Sequence, residues 1–298
     1  MSAPRFSNPV TQSRDASALR VGVVGLGAIG TGIVVSLLRS GRTPLVFDVR
    51  PDAADGIEGI SQQEASAAEL ARGCDVVLLA VFDEEQARHA LAGPGGILAG
   101  ALPGSIVVVL STVPVAAVKE FHTMCAAHDV ALLDCGVTPG DQAAHNGLVG
   151  LLGGPDHIVA RALPVLKDFA RAIVHCGPVG AGMTAKIARN LITYATWAAV
   201  DEAADLAVAG GVDLPTFLEA LRETEAEHAQ PLKMLEVRTF PVAVPQDRIA
   251  NAINVATKDL DAATALAAAR GVATPLTEAV KPLMGGVFAG RRPAARPI

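Results

Sequence analysis

Aromatic side chains are scarce in this chain of 298 residues, because eight Phe, one Trp and one Tyr make up only 3% of it. Hydrophobic residues nevertheless account for 51%. The core must therefore be built from Ala, Val, Leu and Ile packed closely with glycine, which is typical of α/β proteins. One hydrophobic core seldom serves a chain of this length, so we expect two domains.

Blocks of like charge and long apolar runs are also missing. The net charge of -6 is spread along the chain without a basic block, which argues against a nucleic-acid-binding face and an anionic-membrane patch. Gly, Pro or charged residues interrupt every apolar run before it reaches transmembrane length. Residues 1–18 are polar and lack the apolar segment of a secretion signal, so we expect a disordered tail. These absences favour a cytoplasmic protein.

Cysteine is rare, and the four cysteines form no recognisable motif. They are Cys74, Cys125, Cys135 and Cys176. Their spacing contains no C-x-x-C pair and no histidine arrangement typical of zinc, so we expect no metal site. Free, mostly buried thiols in a reducing compartment are the expected state.

The first motif in the chain is a glycine-rich turn between a short apolar strand at 21–24 and a helix. The turn contains Gly25, Gly27, Ala28, Ile29 and Gly30. A second strand follows the helix and ends at an acidic residue, and this order predicts a dinucleotide-binding βαβ unit. The helix N-terminus would offer unpaired N–H groups to the phosphates. A glycine-rich turn in an ordinary βαβ unit is the alternative, and the flanking elements count against it.

The acidic residue at the end of the second strand is Asp48, followed by Val49 and Arg50. A carboxylate there accepts hydrogen bonds from both ribose hydroxyls of an adenosine and repels a 2′-phosphate, which favours NAD over NADP. Arg50 keeps NADP open, because an arginine could pair with that phosphate. Asp48 as a simple turn residue before Pro51 is the alternative.

Strands and helices continue to alternate up to residue 178. We expect strands at 75–81, 105–110, 130–134, 147–154 and 172–175, with a loop at 136–141. Ligands of an open parallel sheet lie beyond the carboxyl ends of its strands, which places four more residues on the cofactor side: Val81, Phe82, Gln86 and Thr112. A helix N-cap ahead of Pro114 is an equally good interpretation of Thr112.

Beyond residue 178 the pattern is helical throughout. A glycine-rich turn at 177–182 enters a run at 183–209 without Gly or Pro, which as a helix would extend roughly 40 Å. Further helices are predicted at 214–221, near 231–235, at 248–269 and at 276–288, with a solvated tail at 291–293. We expect Met183 and Trp197 to pack in the core. Tyr194 could face the crevice, but packing is the preferred interpretation. The predicted fold is a doubly wound Rossmann-type parallel sheet at 19–178, followed by an all-α domain at 179–298.

Lys186 and Asn190 lie four residues apart near the start of the long helix and therefore share one face. A lysine moves a proton near neutral pH only if its pKa falls from about 10.4 toward roughly 7–8, which burial and a neighbouring cation can cause. We expect Lys186 in an inter-domain crevice, with Lys258 as a possible cationic neighbour. A solvated lysine and a merely polar asparagine are the alternative. The preceding turn shows no evident structural need for so many glycines, which counts against that alternative.

Four separated stretches resemble the β-hydroxyacid dehydrogenase family, which includes 3-hydroxyisobutyrate dehydrogenase and relatives of 6-phosphogluconate dehydrogenase. In chain order they are Gly25-Leu26-Gly27-Ala28-Ile29-Gly30, then Asp134-Cys135-Gly136-Val137-Thr138-Pro139-Gly140 leading to Gly153-Gly154, then Gly177-x-x-Gly180-x-Gly182-x-x-x-Lys186-x-x-x-Asn190, and Lys258-Asp259-Leu260. The resemblance implies a catalytic role for Lys186, a substrate-orienting role for Asn190 and a position near the nicotinamide for Lys258. It also implies pairing with further copies, as a homodimer or homotetramer.

Two departures from the family pattern concern the acid group of the substrate. Thr138, Pro139 and Gly140 stand where family members commonly have Ser-Gly-Gly, and Pro139 has no N–H to offer a carboxylate. Arg189 stands where the family more often has Asn or His, and an arginine there could bind a carboxylate through two hydrogen bonds.

The resulting hypothesis is an oxidoreductase that transfers a hydride between NAD(H) and a small 3-hydroxy acid or its semialdehyde, with a lysine as general acid and base. One alternative is an NADP(H)-dependent enzyme like the imine reductases, which share the architecture. They usually carry Asp or Tyr at the lysine position, so Lys186 counts against it. The other is a non-catalytic dinucleotide-binding module, whose signature would be loss of that lysine.

Overall fold

The structure is a computed structural model that describes residues 19–225 and 245–288. The tail predicted at 1–18, the helix predicted near 231–235 and the tail predicted at 291–293 lie outside the described residues. The chain divides into two compact units, Met1–Ala188 and Arg189–Ile298. The domain boundary at 178 stays a prediction.

Seven strands of the described chain form a single sheet in the first unit. They are β1 Val21–Val24, β2 Leu45–Phe47, β3 Val76–Leu79, β4 Ile106–Val109, β5 Ala131–Thr138, β6 Leu148–Gly153 and β7 Ala170–Gly177. Their order is β2-β1-β3-β4-β5-β6-β7, and neighbours run parallel except β5 and β6. The predicted Rossmann-type sheet is confirmed, with one antiparallel pair that the sequence pattern does not reveal.

Helices cover both faces of this sheet. They are α1 Ala28–Arg39, α2 Ala67–Arg72, α3 Glu84–Ala92, α4 Val115–Ala126 and α5 Asp156–Lys167, with 3-10 turns at Ile97–Ala99 and Gly140–His145. Every residue of the central strands β1, β3 and β4 is buried, as expected for parallel strands with helices on each side. Two hydrophobic clusters, one containing Ile33 and Phe169 and the other Leu70 and Phe121, form the core.

Strand β5 is longer than predicted. It continues through Gly136 to Thr138, where the sequence predicted a loop at 136–141. The reason is β6, which pairs antiparallel with β5 from Asp134 opposite Gly153 to Thr138 opposite Val149 and so supplies hydrogen bonds to the extra residues. The strand ends at Thr138, because the next residue, Pro139, has no N–H for a sheet ladder.

The segment after β5 is fastened to helix α1. Ser36 is fully buried on α1, and its hydroxyl donates to the carbonyl of Ala143 at 2.7 Å and accepts from the N–H of Asn146 at 3.2 Å. Gly32 permits this approach, because a Cβ there would lie 2.5 Å from the Cβ of Ala143. The loop that follows Thr138 is therefore held by the helix that begins at the glycine-rich turn.

Helices make up the described part of the second unit. The long helix α6, Ala181–Ala209, begins in the first unit and is followed by α7 Leu214–Glu225, α8 Gln246–Arg270, α9 Pro275–Val280, a 3-10 turn at Lys281–Leu283 and α10 Met284–Phe288. Glu202 on α6 accepts from the backbone N–H groups of Leu276 and Thr277, at 2.7 and 2.9 Å, and so holds the start of α9. The predicted all-helical C-terminal region is confirmed for the described residues.

The cysteines are free and mostly buried, as predicted. All four are unbonded thiols, and Cys74, Cys125 and Cys135 are buried while Cys176 is half-buried. Burial raises the pKa of each buried thiol to about 12. These three thiols therefore stay protonated at neutral pH and behave as small hydrophobic groups.

The aromatic residues of α6 differ from the prediction. Met183 is fully buried, as expected, but Trp197 is 64% exposed and Tyr194 is 57% exposed. Their rings contact each other edge to face with centroids 5.4 Å apart. The prediction of a core position for these two rings is wrong. Residue type alone does not show which part of a long helix packs against other elements of its own chain.

Two further observations are limited to the described residues. No helix within 19–225 or 245–288 is both long enough and apolar enough to cross a membrane. Across the same residues, no group of three or more His, Cys, Asp and Glu side chains is placed to hold a metal ion.

Replacing Ser36 with Ala should lower the free energy of unfolding by about 1–3 kcal/mol, because the carbonyl of Ala143 would be left buried without its donor. Urea unfolding measures this change. The control is Ser40→Ala, which removes an exposed hydroxyl bonded to the carbonyl of Asp168 and should cost about 0.5 kcal/mol. Equal losses in the two variants would contradict the anchoring role of Ser36.

Candidate active site

One row of paired residues marks the carboxyl edge of the parallel strands. Phe47, Val24, Leu79, Val109 and Asp134 lie side by side on β2, β1, β3, β4 and β5. The residues that follow each of them leave the sheet at this edge, except on β5, which continues four residues farther. The glycine-rich turn, Asp48, the segments after β3 and β4, and the end of β5 therefore all lie along one edge.

The glycine-rich turn follows Val24 and is shaped by close backbone contacts. Gly25 has a φ of +92°, and a Cβ at Gly30 would lie 1.9 Å from the carbonyl oxygen of Gly25. Gly27 precedes α1, and a Cβ there would have no heavy atom within 4 Å. Ala28 and Ile29 form the first turn of α1, which no side chain of the described residues caps. The turn thus leaves an open helix N-terminus, which suits a phosphate.

Asp48 is 9% exposed and is held from three sides. Its carboxylate accepts from the N–H of Leu26 at 2.7 Å and from the backbone and guanidinium of Arg50 at 2.9 and 3.0 Å. Burial by itself raises the pKa of Asp48, but the hydrogen bonds from Arg50 and Leu26 outweigh it and hold that pKa below its ordinary value. Asp48 is therefore an ionised group tied to the glycine turn, and not a simple turn residue. Val49, next to it, is exposed.

The segments after β3 and β4 are joined by Ser111. Its hydroxyl accepts from the N–H of Val81 at 3.0 Å and donates to the carbonyl of Val81 at 2.6 Å. Phe82 is exposed, and its N–H donates to the side chain of Gln86 at 3.1 Å. Thr112 is exposed, and the N-cap of α4 is Pro114, so the alternative interpretation of Thr112 as that cap is wrong.

The end of β5 brings Thr138, Pro139 and Gly140 beside the glycine turn. Thr138 is half-buried and the next two residues are exposed. The peptide between Thr138 and Pro139 is cis. A Cβ on Gly140 would lie 3.5 Å from Cδ1 of Ile29, so this segment and the start of α1 are neighbours.

Lys186 is buried, with 7% of its surface exposed. Its stem crosses β5 at Gly136, where an added Cβ would lie 2.3 Å from the Cβ and 2.6 Å from the Cγ of the lysine. Gly136 stands two residues beyond Asp134 and hence past the carboxyl ends of β1, β3 and β4. The alternative of a solvated Lys186 is therefore wrong.

The glycines that precede Lys186 have structural reasons of their own. Gly177 and Gly180 have φ values of +130° and +92°, which favour glycine. A Cβ on Gly182 would lie 2.4 Å from the carbonyl oxygen of Leu151 on β6. The premise that this turn has no structural need for its glycines is wrong, so burial and not glycine content distinguishes Lys186.

The remaining predicted residues belong to the second unit. Asn190 is half-buried, and its side-chain oxygen accepts from the guanidinium of the exposed Arg189 at 3.3 Å. Lys258 on α8 is exposed and pairs with Asp259, with Nζ 2.9 Å from Oδ1. The position of Lys258 near a nicotinamide stays a prediction.

Two family models cover nearly all of the described chain. Residues 20–180 match the model described as the NAD binding domain of 6-phosphogluconate dehydrogenase. Residues 180–293 match the model described as NAD-binding of NADP-dependent 3-hydroxyisobutyrate dehydrogenase.

The chain belongs to the β-hydroxyacid dehydrogenase family. Both matched models describe NAD-binding parts of dehydrogenases, so it is an NAD(P)-dependent enzyme of that class. The resemblance that the sequence motifs suggested is confirmed.

Curated relatives agree with this assignment. A probable mitochondrial 3-hydroxyisobutyrate dehydrogenase of Dictyostelium discoideum is 31% identical over 66% of this chain and 62% of its own length. The 3-hydroxyisobutyrate dehydrogenase of Pseudomonas aeruginosa is 29% identical over 86% of this chain and 88% of its own. The L-threonate dehydrogenase of Cupriavidus necator is 31% identical over 80% of each chain.

Solved structures of other proteins share the fold of this dehydrogenase. An oxidoreductase from Mycobacterium avium matches with a TM-score of 0.80 and 26% identity over 92% of this chain and all of the other. An imine reductase from Streptomyces aurantiacus matches with a TM-score of 0.78 over 91% of this chain and 95% of the other, at 17% identity. At that identity the second match shows the shared fold alone.

The glycine turn of this dehydrogenase fits a dinucleotide. A side chain at Gly27 would extend into the space before α1, where an added Cβ meets no heavy atom within 4 Å, and the uncapped N–H groups of the first turn suit an anion. Asp48 supplies an ionised carboxylate at the end of the neighbouring strand. The residues present therefore match the requirements of NAD(P) at the phosphates and the adenosine ribose.

Sequence reasoning did not single out three residues that shape this edge. Ser111 joins the segments after β3 and β4, as described above. Gln63 joins Asp48 to Arg50, because its side chain accepts from the N–H of the first at 3.2 Å and donates to the carbonyl of the second at 3.0 Å. Asp134 was recognised only as the first residue of a motif. A charged residue within an otherwise apolar strand was the signal for Asp134, whereas no pattern marked Ser111 or Gln63.

Proposed function

We propose that this dehydrogenase oxidises a small 3-hydroxy acid, or reduces the corresponding semialdehyde, with Lys186 as general base and acid. The observation that carries the proposal is the burial of Lys186 against Gly136, past the carboxyl ends of the strands that carry the glycine turn. From β1 to β5 the sheet advances by three strand spacings, roughly 14 Å. The residues that would hold the pyrophosphate and the lysine that would face the reacting end of the cofactor are thus separated along one edge of the sheet.

The chemistry divides between the cofactor and the chain. NAD, when bound, would supply the acceptor for the hydride that leaves the carbon bearing the hydroxyl. Lys186 accepts the hydroxyl proton during oxidation and returns it to the forming alkoxide during reduction. Asn190, one helical turn later, orients the hydroxyl or the carboxylate of the substrate.

Arg189 is our candidate for binding the carboxylate of the substrate, together with Thr138 and Gly140. Pro139 replaces a residue that would carry an N–H, so the loop after β5 offers one donor fewer than the family pattern. An exposed guanidinium can supply two parallel hydrogen bonds to a carboxylate instead.

We infer that NAD is preferred over NADP. The guanidinium of Arg50 lies against Asp48 and also donates to the carbonyl of Leu26 at 3.1 Å. The Asp48–Arg50 pair carries no net charge to attract a 2′-phosphate, and the carboxylate repels one.

We further propose that the enzyme is a homodimer or homotetramer that assembles through its helical unit. Large apolar side chains on α6 are exposed within this unit, among them Leu191, Tyr194 and Trp197. Clustered exposed apolar groups of this size mark interaction sites.

Replacing Lys186 with Ala should lower turnover by about 10²- to 10⁴-fold while NADH still binds, because the proton acceptor is lost and the glycine turn is untouched. Wild type is first assayed for NAD reduction with a panel of 3-hydroxy acids. NADH affinity is followed by fluorescence. The control is Lys167→Ala, an exposed lysine at the end of α5. Near-normal turnover of the Lys186 variant would remove this lysine from the mechanism.

Replacing Asp48 with Asn should lower the ratio of kcat/KM with NAD to kcat/KM with NADP by roughly 10- to 100-fold. This change corresponds to about 1.5–3 kcal/mol, the contribution of a charged hydrogen bond. Asn can still accept from the N–H of Leu26, so the turn is kept while Arg50 loses its ionic partner. Asp52→Asn, an exposed carboxylate on the following turn, is the matched control. An unchanged ratio in the Asp48 variant would refute the assigned role.

Replacing Leu191 with Asp should weaken self-association at least tenfold, because it places a charge in the proposed apolar interface. Sedimentation velocity over a range of concentrations measures the effect. Leu102→Asp, an exposed leucine of the first unit, serves as control and should leave assembly unchanged. A monomeric wild-type enzyme would contradict the proposed assembly.

A further inference from the structure

Asp134 carries a fully buried carboxylate for which the proposed chemistry has no use. Its Oδ1 accepts from the N–H of Gly180 at 2.7 Å, and its Oδ2 accepts from the N–H of Met183 at 2.6 Å. Both donors belong to the entry into α6, where the helix dipole also favours a negative charge. Short charge-assisted bonds of this kind are about twice as strong as neutral ones.

Three glycines make this attachment tight. A Cβ on Gly153 of β6 would lie 2.4 Å from Oδ1 of Asp134. A Cβ on Gly182 would lie 2.7 Å from the carbonyl oxygen of Asp134. A Cβ on Gly136 would meet the stem of Lys186 at 2.3 Å, as described above. The first turn of α6 therefore has no room to slide or rotate over β5 and β6.

We propose that Asp134 is a positioning residue that sets the place of Lys186. Met183 is three residues before Lys186, less than one helical turn, so any shift at the Met183 N–H is passed on to the lysine. Misplacement of a catalytic group by about 1 Å can lower turnover by roughly 100-fold. This inference rests on the proposed function, since the position of Lys186 affects turnover only if that lysine moves the proton.

The first test is Asp134→Asn. Asn has the size of Asp, but its NH₂ group would face one of the two N–H donors and lose that hydrogen bond. We expect kcat to fall roughly 10- to 100-fold while the Kd for NADH changes less than twofold. We also expect the midpoint of the pH profile of kcat to move, because the surroundings of Lys186 change. A merely structural role would reduce the amount of active enzyme, counted by NADH binding, without moving that midpoint.

The matched control is Asp168→Asn. The carboxylate of Asp168 is partly buried in the same unit and pairs with Arg42, with Oδ2 2.8 Å from Nε. Its loss should lower stability and leave kcat and the pH midpoint at wild-type values.

The second test is Gly136→Ala, which decides the question if the Asp134 variant does not fold. The added methyl group displaces the stem of Lys186 without touching the carboxylate of Asp134. We expect the same signature: a lower kcat, a shifted pH midpoint and unchanged NADH affinity.

The outcomes separate this inference from the proposed function. Suppose that the folded Asp134→Asn and Gly136→Ala variants keep the wild-type kcat and pH midpoint, while Lys186→Ala abolishes turnover. That result would overturn the positioning role alone. Turnover retained by Lys186→Ala would overturn the proposed function and the inference together.

Discussion

The buried carboxylate of Asp134 on β5 accepts hydrogen bonds from two backbone N–H groups and so joins the start of the long helix α6 to the sheet. Asp134 has lost its contact with water, and the cost of burying its charge is offset by the N–H groups of Gly180 and Met183. Sheet and helix meet there at backbone-to-backbone distance, which only glycine permits. Lys186 is buried as a consequence, because the helix is held so close to β5 that the lysine stem must cross Gly136.

The same edge of the sheet carries the parts that fit a dinucleotide. The glycine turn, Asp48 and the segments joined by Ser111 follow directly from the row of paired residues at the carboxyl ends of the strands. The loop after β5 is tied back to α1 through Ser36. The glycine turn, the loop after β5 and Lys186 are thus fixed by contacts within the first unit, so this part of the candidate site is preorganised by the fold of that unit.

Features that depend on residues close together in the sequence were predictable, whereas features that depend on distant segments of the chain were not. The glycine turn was predictable because contacts between residues close in sequence, such as Gly25 and Gly30, require its glycines. All seven strands were also predictable from apolar runs. The extension of β5 was not, since it depends on an antiparallel partner that pairs only after folding. The exposure of Trp197 was missed for a similar reason, because a helical pattern does not identify the surface that covers it.

The proposed function depends on the exchange of a proton between the buried amine at the start of α6 and the substrate. The most direct measurement is a crystal structure of the enzyme with NADH and a 3-hydroxy acid that it oxidises. We expect Nζ of Lys186 at about 2.6–3.2 Å from the hydroxyl oxygen of the substrate. A lysine amine turned to bulk solvent, or beyond reach of the hydroxyl even through one water, would contradict it.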